Sequence, residues 1–425
     1  MVDTLRAFAP LREIVFCACL AIAFCFAGIV DAENWDRFRG PNGAGQSETA
    51  GIPSEWTESD YLWKKPLPGV GHSSPVVWGE KLFVTSGDPA TGELILLALD
   101  ANTGDQLWEK RIASHTYSMH RDNSYATSTP AVDADSIYLL WLDGDKVTLA
   151  AFSHDGAPIW TRQVGSLVEQ HGFGTSPIIV GDMIVVANET NNVDRSAVIG
   201  IDRRTGEVRW TQPRGTGKTA FATPFVMEAA DGRKLVVMSS MGSGVTAYDP
   251  ATGVIEWQVL EHDLPDRCVS SPIVAGGLII VSCGSGNNGL HLIALRPGEN
   301  GAPPEEAYRL RQGVPNIPTP IVAGDMLLLW HDRGTVTCLD AVTGEQHWRK
   351  RVSGMFHSSP VRIGNRIFGL SREGEVVVLA AEKEYQLIAR NDLGERCQAT
   401  PAVADGKIFY RTEESLIAIG KHTGG

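Results

Sequence analysis

Five of the eleven histidines of this 425-residue chain stand in short polar stretches just ahead of apolar runs: His72, His115, His120, His171 and His357. His72 and His357 lie three positions before Pro75 and Pro360, and His171 lies six before Pro177. Arg267-Cys268 and Arg396-Cys397 share one spacing, five and four positions before Pro272 and Pro401. The longest stretch, 113–128, carries His115, His120, Arg121, Asp122, Asn123 and Tyr125. Imidazoles beside arginines and amides suit a metal ion, an anion or a carbohydrate. They equally suit local backbone groups or solvent. Zinc is disfavoured, because no two His or Cys stand at ligand spacing within one stretch. The candidate ligand-binding residues are therefore His72, His120, Asn123, Tyr125, His171, Arg267, His357 and Arg396. No metal set is assigned, and no Ser/His/Asp or Cys/His catalytic set.

Other stretches carry less chemistry. Ser239 to Gly244 and Cys283 to Gly286 are Gly-rich, but no Lys-Ser/Thr follows and no helix opens there, so neither is a phosphate loop. Gly215-Thr216-Gly217-Lys218-Thr219 lacks the leading Gly spacing of a Walker loop and enters a strand. Asn191-Asn192, Asn287-Asn288, Asp332-Arg333 and Arg372-Glu373 are polar pairs between apolar runs.

The elements that must position these residues form a repeat. Ser/Thr-Pro precedes an apolar strand at Pro75, Pro130, Pro177, Pro224, Pro272, Pro320, Pro360 and Pro401, at intervals of 55, 47, 47, 48, 48, 40 and 41 residues. Asp-x-x-Thr-Gly-x-x-x-Trp runs from Asp100 to Trp108, Asp202 to Trp210, Asp249 to Trp257 and Asp340 to Trp348. Pro at a strand start needs no ladder donor. Asp and Gly supply the turn, Asp by accepting backbone N–H groups and Gly by taking φ > 0. Four antiparallel strands in a unit of roughly 45 residues make a propeller blade. Eight units give an all-β, eight-bladed propeller over 61–420. The last unit lacks a fourth strand, and the orphan Tyr61–Pro66 completes it. Trp63, Trp108, Trp160, Trp210, Trp257 and Trp348 are expected between neighbouring blades. Loops entering each blade, and those between its second and third strands, gather on one face around the channel mouth. The Thr-Gly turns lie on the other.

Composition agrees with one closed ring. Gly (45) and Pro (23) are raised because strand starts and turns repeat. A net charge of −13 argues against nucleic acid as partner. Arg6 and Arg12, the uncharged run from Ile14 to Val30, and Ala32 after a small-residue stretch read as a signal peptide over 1–32. An uncleaved anchor is the other reading. Residues 33–60 are a lead segment and 421–425 a tail. The expected product is an exported monomer, periplasmic or secreted, with no membrane-spanning segment. Its cysteines are Cys268, Cys283, Cys338 and Cys397. Cys268 and Cys397 sit three blades apart, too far to bridge. A hairpin turning at Gly276-Gly277 brings Cys268 nearly opposite Cys283, as a disulfide or as two buried thiols.

With the Thr-Pro strand, the Asp-x-x-Thr-Gly-x-x-x-Trp turn and eight blades, the chain resembles the PQQ-like β-propeller repeat family. That family includes quinoprotein alcohol dehydrogenases and the outer-membrane-assembly propeller BamB. Trp35-Asp36-Arg37-Phe38-Arg39-Gly40-Pro41 is similar to the start of secreted bacterial members. The resemblance implies fold and leaves activity open. Dehydrogenases of the family carry adjacent cysteines, a carboxylate base and a Glu/Asn/Asp set for Ca²⁺. Residues 33–425 contain no Cys-Cys pair and no Cys-x-x-Cys-His. The expectation is a non-catalytic scaffold that engages a protein or carbohydrate through its loop face, with no cofactor. The alternative is a PQQ- and Ca²⁺-dependent oxidoreductase with its site at the channel mouth. A hydrolase or lyase working through the His-rich loop is a third reading.

Overall fold

The computed structural model describes residues 33–421 except 216, 230, 261 and 262. The signal-peptide reading of 1–32 and most of the tail fall outside them. Eight four-stranded antiparallel sheets follow one another along the chain. Blade 1 illustrates the unit: Val76–Trp78 innermost, then Lys81–Gly87, Leu94–Asp100 and Gln106–Ile112 outermost. Blade 8 is Ala402–Ala404, Lys407–Arg411 and Ser415–Gly420, closed by Tyr61–Pro66 as its outer strand. Closure removes the open ends that a linear array of sheets would expose. No helix among the described residues is long and apolar enough to cross a membrane.

The core lies between blades. Leu96, Ala98 and Trp141 share one buried cluster across blades 1 and 2, and Leu140, Trp160 and Ile199 share the next across blades 2 and 3. The outer-strand tryptophans seal these layers. Trp63, Trp108, Trp160 and Trp210 donate Nε1–H to carbonyls of the following blade, at Ala101 (3.3 Å), His154 (2.9 Å), Arg203 (3.1 Å) and Pro250 (2.9 Å). Each of these rings lies on the turn glycine of that blade; beneath Trp63 it is Gly104, at φ +70°, with no room for a Cβ. A bulge aims the ring there. Ala98 pairs with Trp108 but Leu99 pairs with Gln106, so Leu107 is skipped. The same slip recurs in the outer strand of every blade. Residues opposite the ring are small, such as Ala98, Gly200 and Ala247.

Hydroxyls of the Ser/Thr-Pro landmarks stitch the inner ring. Backbone N–H groups of Ser74, Thr129, Thr223, Ser271, Thr319 and Ser359 each donate, at 3.0 Å, to the landmark hydroxyl of the next blade. Thr319→Val removes the acceptor of the buried Ser271 N–H at constant shape. It is expected to cost about 1.5 kcal/mol in urea unfolding. An unchanged midpoint would show that this hydroxyl ring contributes no stability.

The lead segment crosses the axis on the turn face and touches most inner strands. Trp35 exchanges two 2.9 Å hydrogen bonds with Val77 of blade 1. Asp36 accepts from Val132 of blade 2, and Asn42 pairs with Val226 of blade 4. Gln46–Ser47 adds a parallel strand to Val361–Ile363 of blade 7. Trp56 is wedged between Phe368 and Tyr410 of blades 7 and 8, with ring centroids 6.4 and 6.1 Å away. The ring is therefore a cup rather than an open channel.

Candidate functional site

The cup opens on the loop face with a volume of about 540 Å³. Phe38 of the lead lines it at the closed end. Six landmark hydroxyls form a lower ring: Thr129, Ser176, Thr223, Thr319, Ser359 and Thr400. Above them stands the residue three positions before each landmark proline, one from every blade: His72, Thr127, Gly174, Phe221, Val269, Ile317, His357 and Gln398. This upper ring is two-sided. Blades 7, 8, 1 and 2 present imidazole, amide and hydroxyl groups. Blades 4, 5 and 6 present Phe221, Val269 and Ile317.

The polar half is wired together. His357 Nδ1 meets Gln398 Oε1 at 2.7 Å, and Gln398 Nε2 meets His72 Nε2 at 3.3 Å. His72 Nε2 accepts there, so its proton sits on Nδ1. Burial, reinforced by Arg411 and His357, pulls the His72 pKa down to about 3. Burial also lowers that of His357, against the Gln398 hydrogen bond. His357 Nε2 lies 3.1 Å from the Asn287 side chain, which must turn its NH₂ toward the neutral ring.

Nearer the mouth, His120 and His171 stack with centroids 5.9 Å apart. His171 Nδ1 donates to Glu169 at 2.7 Å, and Thr219 donates to the other carboxylate oxygen at 2.9 Å. Glu169 is held below the usual carboxylate range by these bonds, which outweigh its burial. Asp122 is likewise lowered despite burial, because Arg372 donates to it at 2.8 Å. Arg267 lies over Phe221, 5.9 Å from the ring centroid.

Six of the eight sequence candidates line the cup: His72, His120, Asn123, His171, Arg267 and His357. Asn123 is spent on architecture, since its NH₂ donates to the His171 (2.6 Å) and Phe173 (3.2 Å) carbonyls and clamps two entry loops. Arg396 lines an adjoining hollow of about 530 Å³ that shares His72, Asp122 and Gln398 with the cup. Tyr125 is outside both, set edge-on to Tyr117 at 4.9 Å. Phe38, Glu169 and Gln398 were missed. Gln398 stands at the same offset before its proline as His72 and His357, which was a usable signal.

The sequence left Cys268 and Cys283 open between a disulfide and two buried thiols. Cys268 and Cys283 are free, buried thiols. The inner strand of blade 5 is only Ile273–Ala275, so Cys268 lies ahead of it, its carbonyl accepting from Phe221 and Ala222. Cys283 pairs with His291 on the other side of its strand, while the Gly284 N–H donates to the Arg267 carbonyl and keeps the two thiols neighbours. Burial raises both thiol pKa values.

The quinoprotein set does not fit this site. The carboxylate lining the cup, Asp122, is committed to Arg372, and nearby Glu169 to His171 and Thr219. Cys268 and Cys397 are on different blades and buried behind the wall. No group of three His, Cys, Asp or Glu among the described residues is placed to hold a metal.

Similar proteins share the ring. BamB of Burkholderia pseudomallei is 22% identical over 351 residues, which are 80% of this chain and 82% of that protein. BamB of Yersinia pestis is 24% identical over 271 residues, 57% of this chain and 64% of that protein. The crystal structure of BamB from Moraxella catarrhalis superposes with a TM-score of 0.62 at 16% identity, covering 86% of this chain and 98% of that one. The quinohemoprotein alcohol dehydrogenase from Comamonas testosteroni gives 0.64 at 12% identity, covering 92% and 82%. Likeness at such identities shows the fold alone. A family model described as outer membrane protein assembly factor BamB matches residues 56–139, 93–313 and 300–386, so the chain belongs to that family of PQQ-like β-propellers.

Proposed function

We propose that this chain is an exported, non-catalytic propeller that works as a protein-assembly scaffold and engages a partner protein through its loop face. The carrying observation is the asymmetry of the two faces. The turn face is self-satisfied: Asp100 Oδ1 accepts from Asn102 and Thr103 of its own turn at 2.8 and 2.9 Å, and Asp202, Asp249 and Asp340 do the same. The loop face presents unique side chains from all blades, including exposed Arg121 and Arg396. Family membership supports the same reading, as does the commitment of the cup's Asp122 to Arg372.

A photo-crosslinking amino acid at Arg396 or Glu413 on the loop face should capture one discrete envelope protein in the native host. The same group at Thr343 on the turn face should capture none. Equal capture from both faces would sink the reading. So would dye reduction by the purified protein with PQQ, Ca²⁺ and an alcohol or sugar, which would favour the oxidoreductase.

A further inference from the structure

We propose that the axial cup is a binding site for an acidic sugar, a polyhydroxylated ring bearing a carboxylate or sulfate. It does not depend on the partner-protein reading above, because a scaffold needs only the rim.

Three observations carry it. The first is a surplus of cationic donors. Among the described residues, neither the Arg267 nor the Arg121 guanidinium has a hydrogen-bond or ion-pair partner, and both line the cup. Arg267 lies over the Phe221 ring and acts on Glu169 only through space, so its N–H donors, like those of Arg121, remain open in a chain of net charge −13. Guanidinium forks match carboxylate and sulfate oxygens.

The second is a surplus of hydroxyl donors. Thr129, Ser176, Thr319, Ser359 and Thr400 each accept an inter-blade N–H yet keep an O–H with no acceptor among the described residues. Such a ring suits a ligand rich in oxygen acceptors.

The third is the two-sided wall. A sugar ring has polar edges and an apolar C–H face. The His357–Gln398–His72 chain matches the edges, and Phe38 with Phe221 matches the face. The cup volume lies within the roughly 300–1,000 Å³ of small-molecule sites.

Isothermal titration of the full-length protein tests this with D-glucuronate, D-galacturonate, glucose 6-sulfate, D-glucose, sodium sulfate and PQQ. At least one acidic sugar should bind, and at least tenfold tighter than glucose or sulfate. Arg267→Gln should weaken it at least tenfold with an unchanged melting temperature, and Arg267→Lys should fall between. Lys383→Gln, on the turn face, should leave binding as it is. A trigalacturonide separates the two sources of such a ligand: tighter binding than the monomer points to a polysaccharide end, equal or weaker binding to a free sugar acid. No response to any acidic sugar overturns the proposal, as does equal affinity for glucose, tighter binding of sulfate or PQQ, or indifference to Arg267.

Discussion

Arg39→Met is expected to lower the unfolding free energy by about 4 kcal/mol and to release the lead segment from the ring. Arg39 is fully buried with no carboxylate partner. Its guanidinium donates to four carbonyls: Gly43 at 3.1 Å, Ala44 at 3.2 Å, Pro320 of blade 6 at 3.1 Å and Pro360 of blade 7 at 3.0 Å. Burial draws its pKa down to about 9, so it remains charged at neutral pH. Methionine fills similar space but leaves those carbonyls unpaired in a dry environment. Hydrogen bonds to a charged group contribute roughly 1.5–3 kcal/mol each, and partial relaxation keeps the total below their sum. Urea unfolding at pH 7 measures the loss, and proteolysis within 33–60 reports release of the lead. A loss under about 1 kcal/mol would mean that the two inner strands hold together without it.

What was legible in the sequence was what repeats. Eight Ser/Thr-Pro landmarks and four identical turns fixed blade number and strand order, and the Tyr61–Pro66 closure followed from counting. The bulge beside each tryptophan was not legible, because skipping Leu107 leaves no mark on residue type. The lead was invisible as a floor, because Arg37, Phe38 and Arg39 occur once and their partners lie up to 321 residues away. The site was half legible. His72 and His357 stood out as titratable, while Gln398, Phe221 and Ile317 occupy the same ring position with ordinary chemistry. Tyr125 misled because a polar aromatic in a polar loop reads as a ligand platform, whereas Tyr117 takes its ring.

His72→Gln is expected to make the protein less acid-sensitive, by about 3 kcal/mol at pH 4 relative to its value at pH 7. The unfolded chain binds a proton at this residue below about pH 6.5. The folded chain refuses it until about pH 3, because His72 is buried beside Arg411 and His357, with Asp122 opposing. Between those values the unfolded state holds more protons, so stability is present above pH 6.5 and drains away as pH falls toward 3. His357 shifts in the same direction. Asp332 works against both. It is fully buried, accepts from the Asn316 and Ile317 N–H groups at 2.7 and 3.1 Å, and burial raises its pKa to about 6. Its folded form holds the proton between about pH 3.8 and 6, so its contribution is lost as pH rises through that window. The wild-type pH profile therefore mixes opposing slopes, and only the difference between wild type and variant isolates His72. Glutamine still offers an acceptor to Gln398, so the hydrogen-bond chain survives and the two proteins should match at pH 7. Urea unfolding of both at pH 7, 5.5 and 4 gives that difference. Parallel curves across the range would show that His72 is protonated in the folded protein well above pH 3.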